Sequence, residues 1–154
     1  MTLDEILAHH EAGHAVAALE LRIRFTDVTL AKVHLPPRAF DLTRHYDIER
    51  DAVFTLAGEC AEACVHEDVG HTSECDRRHL EELSVDRYPD EPDRRSAWKL
   101  EMEDRANVLV QKHWGIIQRL AMHLLINETV SMAQAIEHLQ WPTSHNVQSI
   151  VWDQ

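Results

Sequence analysis

Residues 9–16, HHEAGHAV, contain the pattern His-Glu-x-x-His followed by small and apolar residues. Residues four apart on a helix lie on one face, separated by about 6 Å along the axis. His10 and His14 can therefore bring two imidazoles to one metal ion, with Glu11 one step round the helix. Zinc lowers the pKa of a bound water to about 7, so that a carboxylate can take its proton. The pattern predicts a Zn²⁺ site with Glu11 as general base.

A second interpretation of the same stretch stays open, because the chain holds 12 histidines. Helical periodicity predicts a first helix over residues 3–21, with both motif histidines among its inward-facing apolar residues. Two buried histidines with ordinary partners would fit that pattern. A catalytic zinc usually has three protein ligands, and residues 15–20, AVAALE, supply no third histidine. The third ligand must come from a distant part of the chain.

Composition restricts the class of protein. A chain of 154 residues is expected to form one domain, 1–154. Its formal net charge of -12 disfavours nucleic acid as a partner. No stretch approaches the roughly 20 apolar residues that a membrane span needs, so we expect no membrane partner. The three cysteines and the acidic N-terminus argue against a secreted disulfide framework and predict a cytoplasmic location. The four glycines cannot form a phosphate-binding loop.

Local patterns predict a mainly α fold with a minor short β element after the first helix. Residues 25–35 are rich in β-branched residues and predict one or two short strands, stopped by two prolines. Further helices are expected over residues 47–66, 74–85 and 97–126, and Ser131 with Gln134 predicts a capped last helix that ends at Trp141-Pro142. The buried side of the second helix is predicted to carry Val53, Leu56, Ala57, Cys60 and Cys64, and the apolar stripe of the fourth Leu100, Val108, Leu109, Ile116, Ile117, Leu120, Leu124 and Leu125. We therefore divide the chain into a zinc-site half (1–87), an acidic proline-containing connection (88–96), a C-terminal helical half (97–141) and a tail (142–154).

Four stretches, in order, resemble the FtsH-type zinc metallopeptidases, the protease domain of the membrane-bound AAA proteases. HHEAGHAV is similar to that family's HEAGHAV motif, and VTL at 28–30 to the strand that follows it. LAGECAEACVHEDVGHTSECDRRHLEEL at 56–83 resembles the family's Gly-Gly-Arg-Ala-Ala-Glu-Glu helix, loop and aspartate. Residues 106–139 resemble its C-terminal helical section. The resemblance covers almost the whole chain and implies an FtsH-protease-domain-like helical fold.

The resemblance also implies a set of site residues. The family's third zinc ligand falls on Asp76, and a family glutamate close to the metal falls on Glu62, which we expect to orient a ligand histidine. Each position has an alternative. Ser73-x-x-Asp76 is itself a helix-capping pattern, and Glu62 could be a solvated helix glutamate. His9 is expected to lie at the helix surface or to support a ligand.

Several positions depart from the family pattern. Glu59 replaces an arginine, His71 replaces a threonine, and Cys75 precedes the ligand aspartate. A rearranged ligand set drawn from His66, His71, Cys75 and His79 is therefore conceivable, and Cys60 with Cys64 could also face a metal, although small core residues are the simpler interpretation.

The family couples this domain to an ATPase module and a membrane anchor, and the 154 residues contain neither. We therefore expect cleavage of unfolded segments or peptides, alone or with a separate ATPase or related protease; an oligomer is compatible with this. Residues 28–30 could hold an extended substrate by β-augmentation, and four tryptophans (Trp98, Trp114, Trp141, Trp152) offer interface anchors or core packing. The alternatives are a catalytically silent binding or regulatory module and a Cys/His metal-binding protein. An intact Glu11 favours the peptidase, because neither alternative needs a base.

Overall fold

A computed structural model describes residues 1–67 and 74–142. These residues form six helices and three short strands: α1 (Leu3–Glu20), β1 (Asp27–Thr29), β2 (Val33–His34), α2 (His45–Ala63), α3 (Glu74–Arg87), α4 (Pro92–Lys112), α5 (Trp114–Asn127), β3 (Thr129–Ser131) and α6 (Met132–His138). The prediction of a mainly α fold with a minor β element is confirmed. His71, Ser73 and Trp152, which the sequence singled out, lie outside the described residues.

Helix α1 forms the centre of the molecule. Thr2 caps it in a reciprocal capping box with Glu5, and every residue from Ala8 to Leu19 is buried, so the helix is enclosed on all sides. It packs mainly against α2 and α5. A Cβ on Gly13 would lie 2.5 Å from the carbonyl oxygen of Ala57 and 2.6 Å from the Cβ of Ala61. The missing side chain therefore allows α1 and α2 to approach closely.

The strands form one antiparallel sheet in the order β2-β1-β3. Val28 of β1 is paired with Val33 on one side and with Val130 on the other, and it is fully buried. The predicted strand region 25–35 is confirmed. The prediction that residues 28–30 could accept a substrate strand is wrong for β1, because both of its edges are already paired and Leu30 lies outside the strand.

The connection between the two halves is shorter than predicted. Residues 88–96 were expected to link α3 to the next helix, but α4 already begins at Pro92. Proline is well suited to the first turn of a helix, because the backbone N–H it lacks would have no partner there. Only residues 88–91 lie between the two helices.

The predicted single helix over 97–126 is two helices, because the backbone leaves helical geometry at His113, where φ is -111°. Nε2 of His113 lies 3.1 Å from a carboxylate oxygen of Glu20, and the ring packs on Trp141 at a centroid distance of 4.9 Å. The predicted apolar stripe is also partly wrong: Leu100 is 63% and Val108 70% exposed. The buried face of α4 is formed instead by Trp98, Met102, Ala106, Leu109 and Val110.

Two further predictions have clear outcomes. Ser131 caps α6 in a capping box with Gln134, as predicted. On α2, Cys64 is exposed rather than buried, because the helix ends at Ala63 and Cys64 is its C-terminal cap.

Trp98 and Trp141 are buried in the core. None of the helices among the described residues is both long enough and apolar enough to cross a membrane.

Candidate metal centre

Three side chains from α1 and α3 converge on one point. The Nε2 atoms of His10 and His14 lie 3.0 Å apart, and Oδ2 of Asp76 lies 3.1 Å from the first and 3.2 Å from the second. Ligand atoms around a tetrahedral zinc lie about 3.3 Å from one another, given bond lengths of about 2.0–2.1 Å. Among residues 1–67 and 74–142, these three residues form the one group of this kind. The structure thus brings together the three residues that the sequence nominated as ligands.

The opposite nitrogen of each ring is held by an acceptor. His10 Nδ1–H donates to Oε2 of Glu62 at 2.9 Å, and His14 Nδ1–H donates to the backbone carbonyl of Phe54 at 2.8 Å. A carboxylate and a carbonyl can only accept, so both Nδ1 atoms carry the hydrogens and a neutral ring directs its Nε2 lone pair toward Asp76. Such fixation of the ring from behind is typical of metal-binding histidines.

The electrostatics of the cluster favour a cation at its centre. Two lone pairs and a carboxylate facing one another at 3.0–3.2 Å repel unless a positive charge lies between them. Without a metal, a proton takes this place: burial lowers the pKa of His14, but the hydrogen bond and charge of Asp76 outweigh burial and raise it to about 9. Burial would raise the pKa of Asp76, yet hydrogen bonds from His10 and His14 hold it well below its ordinary range. The donor set therefore fits Zn²⁺.

Glu11 is a buried carboxylate beside this group. It is 6% exposed, and within the part of the chain that the structure describes its Oε2 atom has no hydrogen-bond partner. Burial raises the pKa of Glu11, while the charges of His14 and His10 oppose that rise. A buried carboxylate with a free oxygen and a raised pKa is able both to take a proton and to return it.

Gly58 on α2 makes room for the His14 ring. A Cβ at this position would lie 2.3 Å from Nε2 of His14, well inside van der Waals contact. A glycine in a helix interior destabilises the helix by roughly 1 kcal/mol relative to alanine. Gly58 thus lowers the stability of α2 locally but leaves room for the His14 ring. Sequence reasoning did not identify this residue, because the contact joins positions that are far apart in the chain.

Two side-chain contacts attach helix α3, which carries Asp76, to α2. His79, one turn beyond Asp76, contacts Oδ2 of the buried Asp51 through Nε2 at 2.8 Å. Arg77 donates two hydrogen bonds to the carboxylate of Glu59, at 2.6 and 3.2 Å. Asp51 was also missed by sequence reasoning. These contacts fix the start of α3, and with it the position of the Asp76 carboxylate.

The remaining nominated residues lie elsewhere. His79 is engaged with Asp51, and Cys60 is buried in the core, while Cys64 and Cys75 are exposed. Glu62 is 1% exposed, so it is not a solvated helix glutamate. His9 is buried rather than at the helix surface, and its ring stacks on Trp114 at 5.8 Å. In the described parts of the chain, no cysteine belongs to a group of potential ligands.

Comparison with known proteins adds no assignment. No protein-family model matches the chain. No curated protein matches it at a significant level.

Proposed function

We propose that this protein is a zinc-dependent endopeptidase of the FtsH type, with His10, His14 and Asp76 as metal ligands and Glu11 as general base. The observation that carries the proposal is the convergence of three ligand atoms at 3.0–3.2 Å beside a buried carboxylate with a free oxygen. The resemblance of the four sequence stretches to the FtsH-type peptidases supports it independently.

The ligands and the base divide the chemistry between them. When bound, zinc polarises a peptide carbonyl and lowers the pKa of water. Glu11 takes one proton from the attacking water, whose oxygen forms the new bond to the carbonyl carbon. Glu11 then delivers this proton to the amide nitrogen as the C–N bond breaks, so that one carboxylic acid and one amine leave the site. The raised pKa of Glu11 suits both transfers.

Glu62 and the Phe54 carbonyl hold the two imidazoles in the tautomer that presents Nε2 to the ion. Asp76, whose side chain is 29% exposed, closes the group from the solvent side. The proposed substrates are unfolded segments or peptides, because a peptide bond must reach the ligands and Glu11 in an extended chain before water can attack it. A separate ATPase or related protease as partner remains part of this proposal.

The variant Glu11→Gln tests the assignment. It should retain one zinc per chain by metal analysis, while cleavage of casein or a fluorogenic peptide falls by about 10²–10⁴-fold. Asp76→Asn should instead lower the zinc content. Glu137→Gln and Asp86→Asn are matched controls, because both residues are exposed.

Three outcomes count against the proposal. A zinc-loaded wild type that cleaves no peptide favours the catalytically silent module. Cleavage that persists in Glu11→Gln contradicts the role of that residue. Zinc that survives Asp76→Asn but is lost when Cys75 is replaced favours the Cys/His metal-binding protein.

A further inference from the structure

A cavity of about 410 Å³ lies between α2, α3 and α4. None of the residues that line it belongs to the candidate metal centre. Its apolar lining consists mainly of Leu56 and Cys60 of α2 and Leu80 of α3, and all three side chains are buried. A volume of this size lies within the range of small-molecule sites, about 300–1,000 Å³. The cavity is therefore large enough for a small ligand with an apolar body.

The polar part of the lining carries an excess of negative charge. Arg77 and Glu59 neutralise each other, because Arg77 donates two hydrogen bonds to that carboxylate, at 2.6 and 3.2 Å. Glu103 of α4 also lines the cavity. Within residues 1–67 and 74–142, its carboxylate takes part in no hydrogen bond or ion pair, and the same holds for the side-chain amide of Asn107. These two side chains, four positions apart on α4, lie on one helix face and can act on the same ligand.

The negative charge also acts on the apolar side of the cavity. Burial raises the pKa of the Cys60 thiol to about 12, and the charges of Glu103 and Glu59 add to this rise. The thiol is therefore neutral and serves as a small apolar group. A complementary ligand has a hydrocarbon body and a positive charge at one end. An ammonium group offers three donors and no acceptor, which matches a carboxylate and an amide oxygen.

We propose that this cavity is a binding site for a small aliphatic amine. The hydrocarbon chain lies against Leu56, Cys60 and Leu80, and the ammonium group donates hydrogen bonds to Glu103 and Asn107. The site depends on charge complementarity, so a carboxylate of the same chain length is excluded by repulsion from Glu103. A bound amine contacts three helices at once and stabilises their packing by mass action. The inference is independent of the peptidase function.

Hexylamine, which carries its proton at about pH 7, is the probe, and hexanoate and hexanol are comparisons of equal chain length. Two-dimensional amide NMR of the whole chain should show shifts on hexylamine addition that centre on residues 56–63, 77–80 and 103–107. Hexanoate and hexanol should bind at least about tenfold more weakly, because neither makes a charge-assisted hydrogen bond to the carboxylate. Added salt should weaken the binding of hexylamine, because the carboxylate at the cavity is exposed to solvent.

Three variants locate the site. Glu103→Gln should weaken hexylamine binding by about tenfold, because a neutral amide replaces the carboxylate. Asp104→Asn is the matched control, since it removes the same charge from the next exposed position, outside the cavity lining, and should leave the affinity unchanged. Ala63→Phe places a large side chain at an exposed position of the lining and should abolish binding. Urea unfolding of each variant checks that it is folded.

Four outcomes overturn the proposal. The first is the absence of shifts with hexylamine in the wild type, and the second is shifts confined to other parts of the chain. The third is equal affinity for hexylamine, hexanoate and hexanol, because charge then plays no part. The fourth is an equal loss of affinity in Glu103→Gln and Asp104→Asn, which indicates a general attraction of cations to an acidic protein of formal net charge -12. The peptidase function stands or falls separately, by metal content and peptide cleavage.

Discussion

Glu62 accepts a hydrogen bond from Nδ1–H of His10 at 2.9 Å while being only 1% exposed. A buried carboxylate needs a partner that offsets its desolvation, and here that partner is a ring whose other nitrogen faces His14 and Asp76. The negative charge of Glu62 therefore acts through His10 on the candidate metal site.

The first prediction concerns this charge. Glu62→Gln keeps the shape of the side chain but removes its charge, so that His10 becomes a weaker ligand. Loss of such a supporting carboxylate typically lowers metal affinity by 10–100-fold, and we expect a decrease of about that size in a competition titration with a chromophoric chelator. The exposed Glu137→Gln is the control. An affinity equal to that of the wild type would show that Glu62 serves only in packing.

The second prediction concerns the space around His14. In Gly58→Ala the new Cβ would lie 2.3 Å from Nε2 of His14, so the ring must turn away from Asp76. We expect zinc affinity to fall by at least about tenfold, even though alanine is the better helix former. Gly115→Ala is the matched control, because nothing lies within 4 Å of its added Cβ. Retention of full zinc affinity in Gly58→Ala would show that the space at Gly58 does not determine the orientation of the His14 ring.

The third prediction concerns the spacing of α1 and α2. A Cβ on Gly13 would meet the carbonyl oxygen of Ala57 at 2.5 Å and Cβ of Ala61 at 2.6 Å. Overpacking of this kind costs about 1–3 kcal/mol. Gly13→Ala should lower the free energy of unfolding by that amount in urea titrations, again compared with Gly115→Ala. An unchanged midpoint of the urea unfolding transition would mean that α1 and α2 can move apart to accommodate the added methyl group without a loss of stability.

The fourth prediction concerns the pH dependence of the contact between α2 and α3. A hydrogen bond to Asp51 raises the pKa of His79 above its ordinary value of 6.5. The stabilisation is therefore complete below about pH 6.5 and is lost as the pH rises through the raised pKa. In metal-free protein, the stability difference between wild type and His79→Gln should be larger at about pH 6 than at about pH 9. Because the His79 side chain is 40% exposed, solvent screening keeps this difference small. A difference that is independent of pH would rule out the ion pair as its source.

The fifth prediction concerns proton release on metal binding. His14 has a pKa of about 9 in the metal-free protein, because Asp76 outweighs the effect of burial. Zinc must displace this proton, so that the apparent affinity should rise about tenfold per pH unit up to about pH 9. Chelator competition at about pH 7 and about pH 8 measures the change, and titration in two buffers of different ionisation enthalpy counts the protons. An apparent zinc affinity that does not change between about pH 7 and about pH 8 would indicate that His14 is neutral before the metal binds.

The features that the sequence predicted well depend on local patterns. The capping residue Ser131 lies three positions from its partner Gln134, and the motif histidines share a helix face through spacing alone. The position of Asp76 came from resemblance, because its approach to His10 depends on how α3 is attached to α2. The contact of His79 with Asp51 spans 28 positions, and no local pattern reveals such a pairing.

The predictions that failed share a physical reason. The end of α4 at His113 coincides with contacts to Glu20 and Trp141, both remote in sequence. Apolar residues lie on both faces of α4, so periodicity alone could not decide that Trp98 is buried and Leu100 exposed. Strand β3 is three residues long and exists through its pairing with β1, about a hundred residues earlier in the chain.

The separation of the converging side chains along the chain has a consequence for biosynthesis. His10 and Asp76 are 66 positions apart, and Asp76 lies at about the midpoint of the 154 residues. During translation, the two histidines emerge long before their carboxylate partner. An ion that required all three groups could thus be captured only after Asp76 had left the ribosome and α3 had docked on α2, so the proposed metal would bind well after α1 has been synthesised.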